Sequence, residues 1–144
     1  MVYLDTSFVA PLVIAEDASD AVEAFVLKLK PGELATSMWT RVELASLVAR
    51  RLRMGQLSGS AAAAVRREFD RILGESFDIL LPAAADFATA ARYLEIPKSG
   101  LRAGDALHLA TAANRGARKI LTLDKGFVRA GNMLNLPVSR GIRT

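Results

Sequence analysis

The sequence has no cysteine and a single histidine, His108, and these shortages exclude several common kinds of site. Without thiols the chain cannot form a disulfide scaffold, a zinc–thiolate or iron–sulfur site, or a cysteine nucleophile. One imidazole cannot build a multi-histidine metal centre within one chain. Any metal site must therefore be made of oxygen ligands, which favours magnesium, manganese or calcium over zinc or copper.

Long apolar runs are also missing. The longest uncharged run near the N-terminus, Thr6–Ala15, is shorter than the roughly 20 residues that a membrane span needs. It follows Asp5 and has no basic leader, so it does not read as a signal peptide. We therefore expect a cytoplasmic protein that has no membrane partner.

Aromatic residues are scarce as well, at 6% of the chain. They are not interleaved with basic residues, as they are in surfaces that stack on nucleic-acid bases. We therefore expect Trp39 to be buried or to lie at an interface.

The remaining composition is that of one folded domain over residues 1–144, with 51% apolar and 24% charged residues. The net charge is +4, and the excess of basic residues falls in the last third of the chain. From Ile96 to Thr144 the only acidic residues are Asp105 and Asp124. Such a basic region suits a polyanionic partner such as nucleic acid.

Short β-rich apolar runs alternate with segments of helical periodicity. The predicted strands are Val2–Leu4, Leu34–Thr36, Phe77–Leu81, Lys119–Leu123 and Pro137–Val138. The predicted helices are Asp17–Leu29, Ser37–Met54, Ser60–Leu73 (closed by Gly74), Ala83–Tyr93, Ala103–Arg115 and Asp124–Met133. This alternation predicts a layered α/β fold with a mainly parallel sheet.

Four acidic residues do not fit the pattern of solvated charges, which the other acids, Asp86 among them, are expected to follow. Asp5 and Asp124 end predicted strands, where α/β proteins place their ligands. Glu43 borders the apolar stripe of its helix, and Asp105 lies on the inward stripe of another.

Each of these acids also has a purely structural interpretation. The two at strand ends and the one at a helix start are in positions typical of helix caps or turns. Glu43 lies within reach of Arg50 or Arg51 and could simply form an ion pair. The four together are more informative, because clustered carboxylates repel one another unless a divalent cation binds between them. Thr6 and Ser7 would add hydroxyl groups that hold a carboxylate or a metal-bound water in place.

The same acids fall within four segments that cover nearly the whole chain. These are Leu4–Ser7, Arg41–Leu44 with Ala49–Arg51 behind it, Gly100–Ala112 and Leu121–Phe127. In their order and spacing they resemble the PIN-domain ribonucleases, and most closely the VapC-type toxins of bacterial toxin–antitoxin pairs. The third segment is the most specific, although Gly104 stands in it where relatives often carry a bulkier residue.

The resemblance implies an α/β/α sandwich of three layers around a central, mainly parallel sheet. It implies a divalent-metal-dependent endoribonuclease that acts as the toxin of a type II toxin–antitoxin system. A water activated by Mg²⁺ or Mn²⁺ would hydrolyse RNA phosphodiesters. The implied partners are RNA, a cognate VapB-type antitoxin that blocks the site, and a second copy in a homodimer or larger assembly.

The resemblance also implies roles for the acids. Asp5 and Asp105 are expected to bind the metal directly or through water, and Glu43 through water. Asp124 would complete the acidic pocket or support a second metal, with Thr6 and Ser7 supporting the acids.

Basic residues near these acids are expected to steer phosphates into the site, and the candidates are Arg102, Lys125 and Arg129. His108 lies three residues after Asp105. A structural role is favoured for it over that of a general base, because the family's chemistry does not require a histidine.

Three other classes are alternatives, and the residues argue against the first two. A phosphatase that works through an aspartyl intermediate would need a second aspartate two residues after Asp5, but Ser7 stands there. A response-regulator receiver is disfavoured because paired acids near the first strand are absent. A catalytically weak PIN scaffold would bind RNA or protein without cleaving it.

Overall fold

A computed structural model describes residues 1–142, and within them five short strands form one sheet. The strands are β1 (Val2–Leu4), β2 (Leu34–Ser37), β3 (Asp78–Leu80), β4 (Lys119–Leu121) and β5 (Val138–Ser139). Their order is β3-β2-β1-β4-β5, and every pairing is parallel. The α/β class and the parallel sheet predicted from the sequence are confirmed.

Helices connect the strands. They are α1 (Thr6–Val9), α2 (Ser19–Val26), α3 (Trp39–Arg53), α4 (Gly59–Ser76), α5 (Ala84–Leu94), α6 (Ala103–Asn114) and α7 (Lys125–Met133). Two 3₁₀ turns, Ala10–Leu12 and Pro97–Ser99, complete the connections. Among the described residues, no helix combines the length and the apolar character that crossing a bilayer requires.

The central strand shows how the layers arise. Side chains of a strand alternate between the two faces of a sheet. Val2 and Leu4 of β1 therefore pack into one core, which contains residues of α1 to α4. Tyr3 points into the opposite core, with Leu109 of α6 and Phe127 of α7. The two cores on opposite faces of one sheet confirm the three-layer α/β/α sandwich.

The strand order places a crevice beside β1. From β1 the chain builds β2 and β3 toward one edge and then returns to add β4 on the other side of β1. Leu4 pairs with Leu121 at the carboxyl ends of β1 and β4, and the next amide, that of Asp5, donates to the Leu121 carbonyl over 3.1 Å. Open α/β sheets bind ligands at such a reversal of strand order.

The helix predicted over Asp17–Leu29 is shorter and spans Ser19–Val26. Two further predicted boundaries were wrong because of side-chain hydrogen bonds. The third helix begins at Trp39 and not at Ser37, which ends β2 and accepts the Trp39 amide on its hydroxyl. The fourth strand ends at Leu121 and not at Leu123, whose amide donates to the Ser7 hydroxyl over 2.8 Å.

The predicted end of α4 at Gly74 was also wrong. The helix continues to Ser76. Gly55 and Gly116 follow α3 and α6 with φ of +68° and +66°, whereas Gly74 is not in that left-handed region. Glycine ends a helix when it takes the left-handed conformation, and Gly74 does not.

Asp86 is not the solvated acid that the sequence suggests, because only 1% of it is exposed. Its Oδ2 accepts the Ala83 amide at the start of α5, and Arg115 donates to both of its oxygens over 2.9 Å. Asn114 adds a further bond over 2.8 Å. Because these groups come from α5 and from the end of α6, the network joins the two helices.

Two helical glycines predict stability changes of opposite sign. A Cβ on Gly131 of α7 would lie 2.7 Å from Val138 Cβ, whereas nothing lies within 4 Å of one on Gly74. Gly131→Ala should therefore destabilise the fold by about 1–3 kcal/mol through overpacking. Gly74→Ala should stabilise it by about 0.5–1 kcal/mol through helix propensity. Urea unfolding of both variants checks this, and equal shifts would contradict it.

Candidate active site

An open groove of about 670 Å³ lies at the carboxyl edge of the sheet, where α1, α3, α6 and α7 begin or run past it. All four of the acids singled out in the sequence line it, together with Thr6, Ser7 and three arginines. The acids are Asp5, Glu43, Asp105 and Asp124, and the arginines are Arg50, Arg51 and Arg102. Four segments that are distant in sequence therefore contribute carboxylates to one groove.

Asp5 both caps a helix and lines the groove. Its Oδ1 accepts the Phe8 amide over 3.0 Å and the Ser7 hydroxyl over 2.8 Å, so the capping interpretation is correct. Its Oδ2 accepts the Thr122 hydroxyl over 2.8 Å. Only 4% of the residue is exposed. These bonds fix the carboxylate between β1, α1 and the end of β4.

Burial has an electrostatic cost at this position. It raises the pKa of Asp5 to about 6, although His108 and the hydrogen bonds from Thr122, Ser7 and Phe8 act in the opposite direction. The charged form of a buried carboxyl is disfavoured because it loses its hydration. Near neutral pH the group is mostly ionised, at the expense of stability.

Glu43 makes different contacts from those that its sequence neighbours suggested. Its Oε2 accepts hydrogen bonds from the Thr6 hydroxyl and from His108 Nε2, the latter over 2.7 Å. The alternative of an ion pair with Arg50 or Arg51 is wrong in this structure, where Arg51 pairs with Glu16 instead. Burial raises the pKa of Glu43, but the hydrogen bond and the charge of His108, and then the hydrogen bonds of Thr6 and Trp39, outweigh it, so the net pKa is lowered.

The other two acids occupy helix starts. Asp105 is half-buried in the first turn of α6, and burial, then the charges of Asp124 and Glu43, raise its pKa. Asp124 is exposed and caps α7, where its Oδ1 accepts the amides of Gly126 and Phe127 over 2.6 and 3.0 Å. Burial is the larger cause of the raised pKa of Asp105, and the charges of Asp124 and Glu43 add to it because like charges nearby disfavour ionisation.

Sequence reasoning missed Thr122. Besides donating to Asp5, its Oγ1 lies 3.0 Å from Ser7 Oγ and accepts the Asp124 amide over 3.1 Å. The available signal was a hydroxyl residue at the end of an otherwise apolar buried strand, two positions before Asp124.

The basic residues divide into two groups. Of the three predicted to steer phosphates, only Arg102 lines the groove. Lys125 and Arg129 lie on α7, after Asp124 in the chain, and do not line the groove. Arg50 also lines the groove, although the sequence suggested for it only an ion pair with Glu43. In the described part of the chain, neither Arg50 nor Arg102 takes part in an ion pair.

Gly104 leaves room for the Glu43 side chain. A Cβ on it would lie 2.6 Å from Glu43 Oε1 and 3.1 Å from Trp39 Nε1. The indole N–H of Trp39 is buried and has no well-formed hydrogen bond among the described residues. It nevertheless contributes to the lowered pKa of Glu43. Any larger residue at position 104 would have to move one of these two side chains.

The donor set fits a hard divalent cation of the Mg²⁺ type. Within residues 1–142, no group of three or more acidic or histidine side chains converges tightly enough to hold a metal ion by itself. Mg²⁺ does not need such a group, because it usually keeps several waters and binds one or two carboxylates. Asp5 and Asp105, whose pKa values are raised, are the acids that would gain most from a nearby cation.

Comparison with known proteins agrees with this geometry. The family model of the PIN domain matches residues 2–133, and the chain belongs to that family. No curated protein matches the sequence.

Several solved structures share the fold. The chain is 21% identical to a crystal structure of VapC20 from Mycobacterium tuberculosis, described as a sarcin–ricin loop cleaving toxin, with a TM-score of 0.74 over 91% of this chain and 95% of that one. It is 22% identical to FitAcB from Neisseria gonorrhoeae, with a TM-score of 0.74 over 98% of both chains.

A third similar structure is VapBC-5 from Mycobacterium tuberculosis, a member of the VapBC family of toxin–antitoxin systems. It is 24% identical, with a TM-score of 0.60 over 96% of this chain and 94% of that one. At these identities the likeness establishes the fold.

The buried charge of Asp5 predicts a stabilising substitution. Because the pKa of Asp5 is higher in the folded chain than its ordinary 3.8, the folded state binds more protons, and its stability falls as the pH rises from about 4 to 6. Asp5→Asn keeps the helix cap and removes the charge. In chelator at pH 7.5 the variant should be more stable by about 1–3 kcal/mol, and near pH 4 the gain should vanish. Urea unfolding at both pH values measures this.

The exposed acid Asp17 provides the matched control for that experiment, because Asp17→Asn removes the same charge from a solvated position. A gain for Asp5→Asn that persists undiminished at pH 4 would contradict the assignment of the effect to the buried charge.

Proposed function

We propose that the protein is a divalent-metal-dependent endoribonuclease and the toxin of a type II toxin–antitoxin pair. This proposal rests on the groove at the β1–β4 reversal, where the four predicted acids lie together with Arg50 and Arg102, which form no ion pair within residues 1–142. Membership of the PIN family and the fold shared with VapC20 and VapBC-5 support the same function.

The proposed roles are those that the resemblance to PIN-domain ribonucleases implies for each acid. Asp5 and Asp105 would hold Mg²⁺ or Mn²⁺ directly or through water, Glu43 through water, and Asp124 would complete the acidic pocket. The Thr6 hydroxyl donates to Glu43, and the hydroxyls of Ser7 and Thr122 donate to Asp5. These three residues therefore hold the two carboxylates in place. When bound, the cation would neutralise charge on the scissile phosphate and lower the pKa of a coordinated water.

The chain's own residues then do three things. Asp5 and Glu43 are fixed by protein donors, so they present charge to the groove without reorganising when a ligand arrives. Arg50 and Arg102 supply positive charge that attracts the RNA backbone toward the acids. Lys125 and Arg129 would extend this field from α7.

The proposed partners are an RNA substrate, a VapB-type antitoxin that blocks the site, and a second copy of the chain. The proposed location is the cytoplasm. The toxin–antitoxin pairing is supported by the likeness to VapBC-5. Large apolar side chains exposed on and near α5 offer a surface for a protein partner. They are Leu81, Phe87, Leu94 and Ile96.

Cleavage of RNA by the purified chain tests the function. We expect cleavage of total RNA in Mg²⁺ or Mn²⁺, none in chelator, and a loss of about 100-fold or more in Asp5→Asn, because the acid that anchors the cation is gone. Gel analysis of the products measures this. Asp17→Asn serves as the control and should cleave normally.

The outcomes separate the two candidate functions. Equal cleavage by a folded Asp5→Asn protein would contradict the assignment. If the wild-type chain binds RNA but cleaves none, the catalytically weak PIN scaffold is the better description. Titration with Mn²⁺ then shows whether divalent binding depends on Asp5 and Asp105.

The unpaired arginines predict a salt dependence. RNA binding in chelator should weaken as salt rises, because phosphate contacts release counterions. Arg102→Ala should lower the slope of log K against log salt by about 1, and Arg50→Ala should do the same. Arg53→Ala, at the exposed end of α3 and outside the groove, should leave the slope unchanged. Fluorescence anisotropy of a labelled RNA measures this, and salt-insensitive binding would contradict it.

A further inference from the structure

A buried pair of side chains lies behind Glu43 and has no part in the function proposed above. Tyr3 Oη lies 2.6 Å from His108 Nδ1, and His108 Nε2 lies 2.7 Å from Glu43 Oε2. Tyr3 and His108 are 0% and 1% exposed, so water cannot replace either contact. The chain of bonds runs from the centre of β1, through α6, to the groove.

The direction of these bonds follows from which groups can donate. An ionised carboxylate only accepts hydrogen bonds, so the proton between His108 and Glu43 belongs to Nε2. A phenol has an ordinary pKa of about 10, so Tyr3 is neutral near pH 7. Its hydroxyl therefore keeps its proton and can donate it to Nδ1. When the imidazole is neutral, these bonds favour the tautomer that carries its proton on Nε2.

The carboxylate of Glu43 is thereby held through one oxygen. Its Oε2 receives both the imidazole N–H and the Thr6 hydroxyl. Its Oε1 lies where a side chain on Gly104 would be, beside the indole N–H of Trp39, which makes no well-formed hydrogen bond among the described residues. Two donors on one oxygen fix the rotation of the carboxylate and leave the other oxygen for a ligand.

We propose that His108, held in one tautomer by Tyr3, is a positioning residue that sets the orientation of the Glu43 carboxylate in the groove. The proposal rests on the proposed function, because Glu43 is one of the acids assigned to cleavage. It gives His108 a role distinct from both core packing and general base catalysis. Groups that orient ligating carboxylates typically change activity by about 10–100-fold when they are removed.

The first test reads the imidazole directly. The chain has one histidine, so its two ring nitrogens give a ¹⁵N spectrum that needs no assignment. In chelator at pH 7.5 we expect a protonated Nε2 and an unprotonated Nδ1 in the wild-type protein. Tyr3→Phe should release the ring into a mixture of tautomers. A proton on Nδ1 in the wild-type protein, or the same mixture with and without the Tyr3 hydroxyl, would overturn the proposal.

The second test separates positioning from packing. The amide nitrogen of His108→Gln reaches the place of Nε2 and can still donate to Glu43, whereas His108→Leu keeps similar bulk without a donor. We expect kcat for RNA cleavage to fall by about 10–100-fold in His108→Leu with KM unchanged, and to recover most of this loss in His108→Gln. Equal losses in the two variants, or a loss confined to KM, would overturn the proposal.

A control variant accounts for destabilisation of the helix. Leu109 lies next to His108 on α6, is fully buried and contacts the core instead of the groove. Leu109→Ala should lower the melting temperature but leave kcat at 25 °C unchanged. A fall of kcat in Leu109→Ala that matches the one in His108→Leu would assign the effect to packing and overturn the proposal.

Failure of the proposed function can be told apart from failure of this inference. If the wild-type chain cleaves no RNA, the proposed function fails and the ¹⁵N spectrum alone decides the role of His108. A shift of the Nε2 signal in Glu43→Leu then supports the hydrogen bond that orients the carboxylate. An unchanged signal overturns it.

Discussion

The hydrogen bonds of the Asp5 carboxylate hold the centre of the molecule together. They join the end of β1, the start of α1 and the residue that follows β4 through Phe8, Ser7 and Thr122. The same carboxylate is almost completely buried, and its pKa is raised to about 6. The position therefore combines local structural stabilisation with an electrostatic cost, which a cation in the groove would reduce. Active sites commonly retain such unfavourable charges, because a residue that stabilised the fold better would lose the chemistry.

Much of the fold followed from the sequence because each element carries a strong local signal. Strand runs such as Lys119–Leu121 and the apolar periodicity of α3 and α5 were sufficient for the α/β class and for the parallel sheet. The errors fell where side chains replaced main-chain partners, as at Ser37 and Leu123, or where Gly74 stayed helical. Such details depend on contacts between distant segments, which periodicity does not encode.

The candidate site was predictable in composition but not in its internal contacts. Asp5, Glu43, Asp105 and Asp124 were recognisable only as a set, because each alone fits a structural role but clustered carboxylates repel unless a divalent cation binds between them. The partners of Glu43 were not recognisable, since Thr6 and His108 are 37 and 65 residues away in the chain. The basic residues show the same limit: net charge indicated a polyanionic ligand, but Arg115 and Arg118 are occupied by Asp86 and Glu33. The groove arginines that form no ion pair among the described residues are instead Arg50 of α3 and Arg102 at the start of α6.

The central position of β1 has a consequence for the order of events during synthesis. β1 leaves the ribosome well before β4, its neighbour in the sheet, so the Asp5 carboxylate acquires all its partners only after Thr122, 117 residues later, has been made. Contacts of such long sequence separation form late and slow folding. A nascent chain that ends before Asp124 therefore lacks part of the groove, and the site is complete only once β4 and the start of α7 have been made.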